Sequence, residues 1–240
     1  MMAEFRLSEA AVRQAVSRMS AQSWLASRKR ANRAVYSLTT RGLARVEALS
    51  PRIYEPAAEW DGRWRLLIYA IAESKRAQRD RLRKDLTVLG FAPLGPSIWI
   101  SPHAAPADVQ ALIAAKKHRD VTHYFLGEYA GPLSDSELMA RAWNVESIAA
   151  DYRKFIDQYA PRMRAERTHQ SLSAARAFVE RLWLVQDFRR FLYVDPGLPS
   201  ALLPAHWPGS IASALFREYY ALLSKKATNF FRSVAEIAPG

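Results

Sequence analysis

Hydrophobic and polar positions near the start of the chain predict a short amphipathic helix. Ser8 is a suitable N-cap, and Glu9 follows it in the first turn, where the helix dipole favours an anion. At helical spacing, one buried stripe would be formed by Val12, Ala15, Val16 and Met19. The opposite face would carry Arg13, Gln14, Ser17 and Arg18. Solvated helix faces often carry such residues, so this face alone does not identify a binding surface.

The segment after this helix predicts a basic β-hairpin and a second helix. Residues 27–39 (SRKRANRAVYSLT) form two short strands around a turn near Ala31 and Asn32. If these elements bind DNA, the side chains expected to hold its backbone are Arg28, Lys29, Arg30, Arg33 and Tyr36. Arg13, Gln14, Ser17 and Arg18 of the first helix would then face the bases. Thr39 and Thr40 would cap an amphipathic helix over 41–48. A polar-faced helix followed by a basic hairpin is the order of a winged helix-turn-helix, although a basic hairpin can also be an ordinary solvated loop.

The middle of the chain alternates between strand and helix patterns. After a linker at 51–59, the pattern predicts a strand at 63–72, a helix at 74–90 that Gly90 ends, two short strands within 91–101, a helix at 107–117 and a strand at 121–129. This βαββαβ order is that of a ferredoxin-like domain. An edge or a face of its sheet is a plausible dimer surface.

From Ser134 onward the pattern is helical. Helices are predicted at 137–144, 146–159, 171–195 and 210–237. Residues 195–209 contain four of the 13 prolines, which favours a packed elbow or a ligand wall over a flexible linker. The expected fold class is α+β, with an incomplete winged helix-turn-helix over 1–52, a ferredoxin-like domain over 60–131 and an all-helical C-terminal domain over 134–240.

The charge of the chain indicates a polyanionic partner. The formal net charge is +12, and residues 1–52 contain ten basic and three acidic side chains. Nucleic acid, an anionic membrane face and a phosphorylated ligand would each match this excess. The chain has no cysteine, and no apolar run approaches the roughly 18 residues of a membrane span. We therefore expect a cytoplasmic protein that does not enter a membrane.

Three stretches of the sequence resemble the PaaX family, bacterial repressors of phenylacetic acid degradation. They are AAVRQAVSRM…WLASRKRANRAVYSLT, DGRWRLLIYAI…LRKDLTVLGFAPLGPSIWISP and LVQDFRRFLYVDPGLPSALLPAHWPG. The resemblance implies a winged-helix module, a ferredoxin-like middle domain and a helical C-terminal domain. It also implies a homodimer that binds double-stranded operator DNA and is released by an aryl-acyl-CoA, with phenylacetyl-CoA as the type case. No other cofactor is expected.

One departure from the family bears on DNA binding. Family members usually have a few dozen further residues ahead of the recognition helix, whereas this chain reaches that helix by Ser8. Either the start of the sequence has been assigned too late, or the protein is a shortened form. Without those preceding residues, the apolar stripe of the first helix would lose the helices on which it packs. We expect weakened or domain-swapped DNA binding in that case.

Residues expected to bind the effector lie in the C-terminal part of the chain. An apolar slot and cations for phosphates would be supplied by Trp183, Arg189, Arg190, Tyr193 and Trp207. Neighbouring aromatic side chains, Phe188, Phe191 and Tyr219, are further possible walls. Most of these aromatic residues are expected to be ordinary helix-packing core, and the two arginines could instead pair with Asp187, Glu180 or a partner chain.

Catalytic chemistry is not expected. The middle domain is similar in fold to small CRISPR-associated nucleases, which need an Asp late in the first strand, where this chain has Ala70. His118 and His123 are five residues apart, which suits surface histidines better than a metal pair. The sequence has no phosphate-binding loop and no Gly-x-Ser-x-Gly motif. A metal nuclease, a CoA-ester hydrolase and a paralogue that acts only as a dimerisation partner are the alternatives to a repressor.

Overall fold

A computed structural model of the chain describes residue 5 and residues 7–30, 33–44, 46–47, 59–103, 106–114 and 120–235. The predicted hairpin turn, most of the linker at 51–59 and His118 lie outside these residues. The chain forms two compact units. The terminal unit consists of Met1–Pro56, Tyr152–Tyr193 and Gly209–Gly240, and the central unit of Ala57–Asp151 and Val194–Pro208. The three domains predicted from the sequence, at 1–52, 60–131 and 134–240, stay a prediction. The two units cannot be compared with them directly, because each unit is assembled from several segments of the chain.

The terminal unit begins with a helix, a hairpin and a second helix, in the predicted order. Helix α1 spans Glu9–Ala21, strands β1 and β2 span Leu25–Arg30 and Arg33–Leu38, and helix α2 includes residues 40–44 and 46–47. The Ser8 side chain accepts a hydrogen bond from the Ala11 amide at 3.2 Å, which confirms the predicted N-cap. The strands pair antiparallel. We call residues 7–47 the N-terminal module.

The central unit contains a four-stranded antiparallel sheet with two helices. Its elements are β3 (Trp64–Tyr69), α3 (Arg76–Val88), β4 (Ala92–Pro93), β5 (Ile98–Ser101), α4 (Pro106–Ala114) and β6 (Thr122–Gly127). The strands are ordered β4-β5-β3-β6, and all neighbours are antiparallel. The predicted βαββαβ order is therefore confirmed. Gly90 has a φ of +79°, which explains why α3 ends there.

Each face of this sheet contributes to a separate apolar core. Leu67 and Trp99 pack with Leu82 and Leu86 of α3 on one face. The core on the opposite face contains Trp64, Ile100, Leu138, Met139, Trp143, Leu198 and Leu202. Because Leu198 and Leu202 come from the proline-rich segment at 195–209, this segment is a packed elbow, as predicted.

The remaining helices are α5 (Asp135–Ala142), α6 (Val145–His169), α7 (Ala174–Phe188), α8 (Phe191–Val194) and α9 (Pro208–Val234). The prediction that α6 ends at Tyr159 was wrong, because the helix continues through Pro161. Buried Glu166 accepts a hydrogen bond from Lys226 of α9 at 2.7 Å, which holds the extension in place. Within the described residues, no helix combines the length and apolar content needed to cross a membrane.

The predicted single helix over 171–195 was also wrong, because it breaks at residues 189–190 between α7 and α8. The break lets Phe191 enter an aromatic core in the terminal unit. Phe191 stacks on Tyr152 with ring centroids 3.9 Å apart, and Phe188 stacks on Phe216 at 4.2 Å. Ahead of α1, Phe5 meets Phe178 of α7 edge to face at 6.0 Å.

Candidate nucleic-acid interface

Helix α1 presents the predicted polar face to solvent. Arg13, Gln14, Ser17 and Arg18 are all exposed, whereas the stripe of Val12, Ala15, Val16 and Met19 is half-buried. Arg13 forms an ion pair with Glu9 at 2.5 Å. Both side chains of this pair are largely exposed, so it is weak and an incoming phosphate can displace it. The four polar residues thus form one accessible surface on a single turn-and-a-half of helix.

The hairpin register divides the predicted contact residues between two faces. Ser27 pairs with Tyr36, and Lys29 lies two positions from Ser27, so Lys29 and Tyr36 share one face. Arg28 pairs with Val35 on the other face. Lys29, Arg28 and Tyr36 are all exposed. The hairpin therefore presents an exposed cation on each of its two faces.

Arg30 and Arg33 form the last pair of the described ladder. The opposite end of the hairpin is joined to α2 by hydrogen bonds. The Thr39 hydroxyl donates to the Ser23 carbonyl at 2.6 Å and accepts from the Gly42 amide at 3.0 Å, so Thr39 is the N-cap of α2. A Cβ at Gly42 would collide with the Trp24 carbonyl. This close approach holds the base of the hairpin against the second helix.

The N-terminal module leaves much apolar surface in water. No residue of α1 is buried. Several large apolar side chains of the module are also exposed, namely Leu7, Leu38, Leu43 and Val46. The module is therefore ordered by hydrogen bonds at its base and by half-buried contacts, with little core of its own.

The predicted effector residues do not form an enclosed slot in the terminal unit. Trp183 and Tyr193 are 51% and 71% exposed, and Arg189 and Arg190 are exposed as well. Trp207 is buried and belongs to the central unit. As expected for core residues, Phe188, Phe191 and Tyr219 are buried. That an effector binds to the predicted residues stays a prediction; these residues are Trp183, Arg189, Arg190, Tyr193 and Trp207.

The carboxylates suggested as partners of these arginines are used elsewhere. Asp187 accepts hydrogen bonds from Tyr159 at 2.7 Å and Gln158 at 3.1 Å. Glu180 accepts from Arg162 and Tyr219. Burial, together with the bond to Asp187, raises the pKa of Tyr159 far above its usual range, so its hydroxyl stays protonated and donates.

The end of β3 shows no catalytic carboxylate. Ala70 follows the strand, and its amide donates to the Val121 carbonyl at 2.7 Å. Across the described ranges there is no group of three or more side chains able to hold a metal ion. His123 is exposed on β6. The absence of enzymatic activity remains a prediction.

The structure reveals one cleft that the sequence did not predict, within the central unit where α5 ends and α6 begins. It has a volume of about 730 Å³, and its lining includes Arg141, Trp143, Val145 and Leu202. The only sequence signal was the gap between the helices predicted to end at 144 and to begin at 146. A helix break does not show whether a cleft opens beside it.

Domain models of one family match most of the chain. The model "PaaX-like protein" matches residues 1–42, "PaaX protein central Cas2-like domain" matches 57–139, and "PaaX-like protein C-terminal domain" matches 143–233. Over 236 residues the chain is 33% identical to "Transcriptional repressor PaaX" of Escherichia coli (strain K12), an alignment that covers 95% of this chain and 73% of that protein. The chain belongs to the PaaX family.

Membership of the PaaX family confirms the resemblance seen in the sequence. A solved structure of "Uncharacterized protein Rv0674 from Mycobacterium tuberculosis" is also similar, with a TM-score of 0.65 and 22% identity. The likeness covers 95% of this chain and 86% of that one, and it supports the fold alone. The first PaaX family model covers α1 and the whole hairpin, the elements that carry the candidate interface.

Proposed function

We propose that this chain is a DNA-binding transcriptional repressor of genes for the degradation of an aromatic acid of the phenylacetate type. The observation that carries the proposal is the 33% identity, over nearly the whole chain, to a PaaX protein named as a transcriptional repressor. The exposed polar face of α1 supports it, because Arg and Gln side chains pair with base edges in the major groove. The chain would act in the cytoplasm by binding and not by catalysis.

We infer that the N-terminal module is a winged helix-turn-helix. Helix α1 would enter the major groove with Arg13, Gln14, Ser17 and Arg18 towards the bases. The hairpin would contact the backbone through Arg28, Lys29, Arg30, Arg33 and Tyr36. Because Arg28 and Lys29 lie on opposite faces of the hairpin, a hairpin laid edge-on into a groove would reach the phosphates on both sides.

We further propose a homodimer formed through the central domain. Strand β6 lies at one end of the described sheet, and its Phe125 and Leu126 are about half exposed on opposite faces. An unpaired edge strand with apolar side chains is a template for pairing with a second chain. A two-fold dimer would read two half-sites about 34–36 Å apart, or a multiple of that distance.

We propose that an aryl-acyl-CoA such as phenylacetyl-CoA releases the operator. Trp183 and Tyr193 offer exposed aromatic surface, and the nearby sequence positions Arg189 and Arg190 offer exposed cations for phosphates. Release requires that the effector bind one conformation more tightly, with a typical coupling of about 1–3 kcal/mol.

A salt series on the full chain tests the DNA-binding proposal. A duplex selected by the chain from a random pool would be labelled and titrated by fluorescence anisotropy beside a scrambled duplex. If ~6 phosphates are neutralised, affinity should fall roughly 10³-fold between 50 and 200 mM salt. A flat salt response, or equal affinity for the selected and scrambled duplexes, would contradict the proposal.

The same assay tests the effector. Phenylacetyl-CoA should lower affinity for the selected duplex about 5- to 150-fold, and free coenzyme A at equal concentration should not. DNA binding that ignores phenylacetyl-CoA and related aryl-CoAs would leave a constitutive DNA-binding protein and would contradict the effector part alone.

A further inference from the structure

The acidic side chains in the C-terminal helices of the terminal unit are mostly held in internal contacts. Residues 152–193 and 209–235 contain five acidic and 13 basic side chains. Four of the five acidic side chains accept hydrogen bonds from other side chains of these helices, namely Glu166, Glu180, Asp187 and Glu218. The charge that these helices turn towards solvent is therefore mainly positive.

Helix α9 carries three of the exposed cations on one face. Arg217, Lys225 and Arg232 are all exposed, and at 100° per residue they lie within about 80° of one another around the helix. Between the first and the last of them the helix rises about 22 Å. Among the described residues, none of the three forms an ion pair. We call these three residues the α9 stripe.

Carboxylates close to the α9 stripe already have partners. Glu218 is the only acidic residue of α9, and Arg167 of α6 donates to it at 2.7 Å. Lys226, the neighbour of Lys225 in the chain, instead donates to Glu166 at 2.7 Å. Because these carboxylates are occupied, a polyanion could contact all three cations of the α9 stripe without displacing an internal partner.

The start of α1 packs on the same helices. Phe5, three residues before the N-cap Ser8, meets Phe178 of α7 with ring centroids 6.0 Å apart. Phe178 in turn stacks on Phe231 of α9 at 6.1 Å. Three residues of chain span at most about 10 Å, so α1 begins close to this aromatic cluster. Arg232 directly follows Phe231, which places one end of the α9 stripe at the same cluster.

We propose that the α9 stripe binds the phosphate backbone of the same duplex that α1 reads. The C-terminal helices would then form a second part of the DNA interface, an inference that rests on the repressor function proposed above. Duplex DNA matches the stripe because each strand carries a phosphate about every 3.4 Å, so ~22 Å corresponds to about six base pairs. Contacts to phosphate position a protein without reading bases, so the stripe adds affinity but no sequence preference.

Removal of the three charges tests the proposal in the full chain. The stripe variant combines Arg217→Gln, Lys225→Gln and Arg232→Gln. A control variant removes two arginines and one lysine from exposed positions of α3 in the central unit, and it combines Arg76→Gln, Arg81→Gln and Lys84→Gln. Both variants lose the same net charge. Each would be titrated against the selected and the scrambled duplex by fluorescence anisotropy between 50 and 200 mM salt.

The stripe variant should lose much of the salt dependence of DNA binding. With three fewer phosphates neutralised, its affinity should fall only roughly 40-fold between 50 and 200 mM salt, against roughly 10³-fold for the unaltered chain. Affinity for the selected and the scrambled duplex should weaken alike. The control variant should behave like the unaltered chain, and the thermal midpoints of all three proteins should agree because every substituted position is exposed.

A crosslinking experiment locates the DNA independently of affinity. The chain contains no cysteine, so Lys225→Cys and Lys84→Cys each introduce a single site for a thiol-reactive photocrosslinker. With the selected duplex bound, the Lys225→Cys protein should crosslink to DNA at least ten-fold more than the Lys84→Cys protein on α3.

The proposal fails if the stripe variant keeps the full salt dependence, if the control variant loses as much of it, or if Lys225→Cys gives no crosslink. These outcomes are distinct from failure of the proposed function. If the chain prefers the selected duplex and Lys225→Cys does not crosslink, the repressor proposal stands and the α9 stripe does not bind DNA. If Lys225→Cys crosslinks and the chain binds both duplexes equally, the α9 stripe binds DNA and the repressor proposal fails.

Discussion

The terminal unit contains 23 basic and 10 acidic residues, whereas the central unit contains 12 and 13. All of the net positive charge therefore belongs to the terminal unit. Within it, residues 1–56 hold ten basic and four acidic side chains, and the C-terminal helical segments hold 13 and six. A polyanion is thus expected on the terminal unit, and the positive field there extends beyond the first 52 residues that the sequence singled out.

The N-terminal module and the central unit also differ in how well their side chains are packed. In the N-terminal module, Gly42 is the only buried position among residues with described side chains. In the central unit, Leu67, Leu82 and Leu86 are completely buried. A segment with many exposed cations and little core is expected to contribute little to stability. The central unit shows the reverse, since its charges nearly balance and each face of its sheet contributes to an apolar core.

The largest expected effect is a loss in the free energy of unfolding, which tests this difference in packing. Leu67→Ala, at a site with 0% exposure between β3 and the helices, should lower the free energy of unfolding by about 4 kcal/mol because it opens a cavity. Leu43→Ala, at a 46% exposed leucine of α2, should cost less than about 1 kcal/mol. Urea unfolding followed by circular dichroism measures both. Equal losses would show that the N-terminal module has a core after all.

The second effect concerns the ion pair that fixes the end of α6. Lys226 donates to Glu166, to the Gln170 carbonyl at 2.9 Å and to the Leu172 carbonyl at 3.0 Å. Lys226→Met should cost about 3 kcal/mol, because it leaves the charge of Glu166 buried without its partner.

The neighbouring exposed lysine provides the control for this pair. Lys225→Met should leave the thermal midpoint nearly unchanged, and Glu166→Gln combined with Lys226→Met should recover part of the loss. A single variant Lys226→Met that is as stable as the unaltered chain would show that this pair does not hold the helix beyond Pro161.

The sequence correctly predicted those features that are determined by residues close to one another along the chain. The faces of α1, its Ser8 cap and the βαββαβ order follow from periodicities of 3.6 and 2 residues. The split of the hairpin cations between two faces could also have been derived, because Arg28 and Lys29 are adjacent in a strand. These features need no information about distant segments.

Features set by distant segments were missed. The length of α6 depends on Lys226 of a helix 60 residues away, and the break before α8 depends on Phe191 reaching Tyr152. Aromatic residues at helical spacing do not show which of them are enclosed, so exposed Trp183 and buried Phe188 looked alike in sequence. The cleft was missed for the same reason, since its wall at Leu202 is about 60 residues from Met139.

The third effect tests the contrast in charge. Arg18→Ala, on the polar face of α1, should lower affinity for a selected duplex about ten-fold and reduce its preference over a scrambled duplex. Lys29→Ala should weaken binding to both duplexes alike and lower the salt slope by about one. Arg81→Ala, exposed on α3 of the central unit, is the matched control and should change neither. A loss in the control equal to that of Arg18→Ala would place DNA on both units.

The smallest effect concerns a buried charge in the central unit. The Arg65 side chain is 6% exposed and binds the Asp61 carboxylate with both terminal nitrogens. These bonds lower the pKa of Asp61 from 3.8 to about 2. Because the carboxylate itself is partly exposed, we expect the pair to contribute only about 1 kcal/mol.

The sign of this pH dependence follows from the lowered pKa. The stabilisation should be complete above pH 3.8 and disappear as the pH falls through about 2. Asp61→Asn should therefore unfold at lower urea than the unaltered chain at pH 7, and the difference should vanish near pH 2. Glu73→Gln, which removes an 87% exposed carboxylate from its pair with Arg79, should cause a smaller change at pH 7. If the Asp61→Asn difference persisted undiminished at pH 2, lost packing and not the charge of Asp61 would explain it, and the central unit would owe its stability to apolar contacts alone.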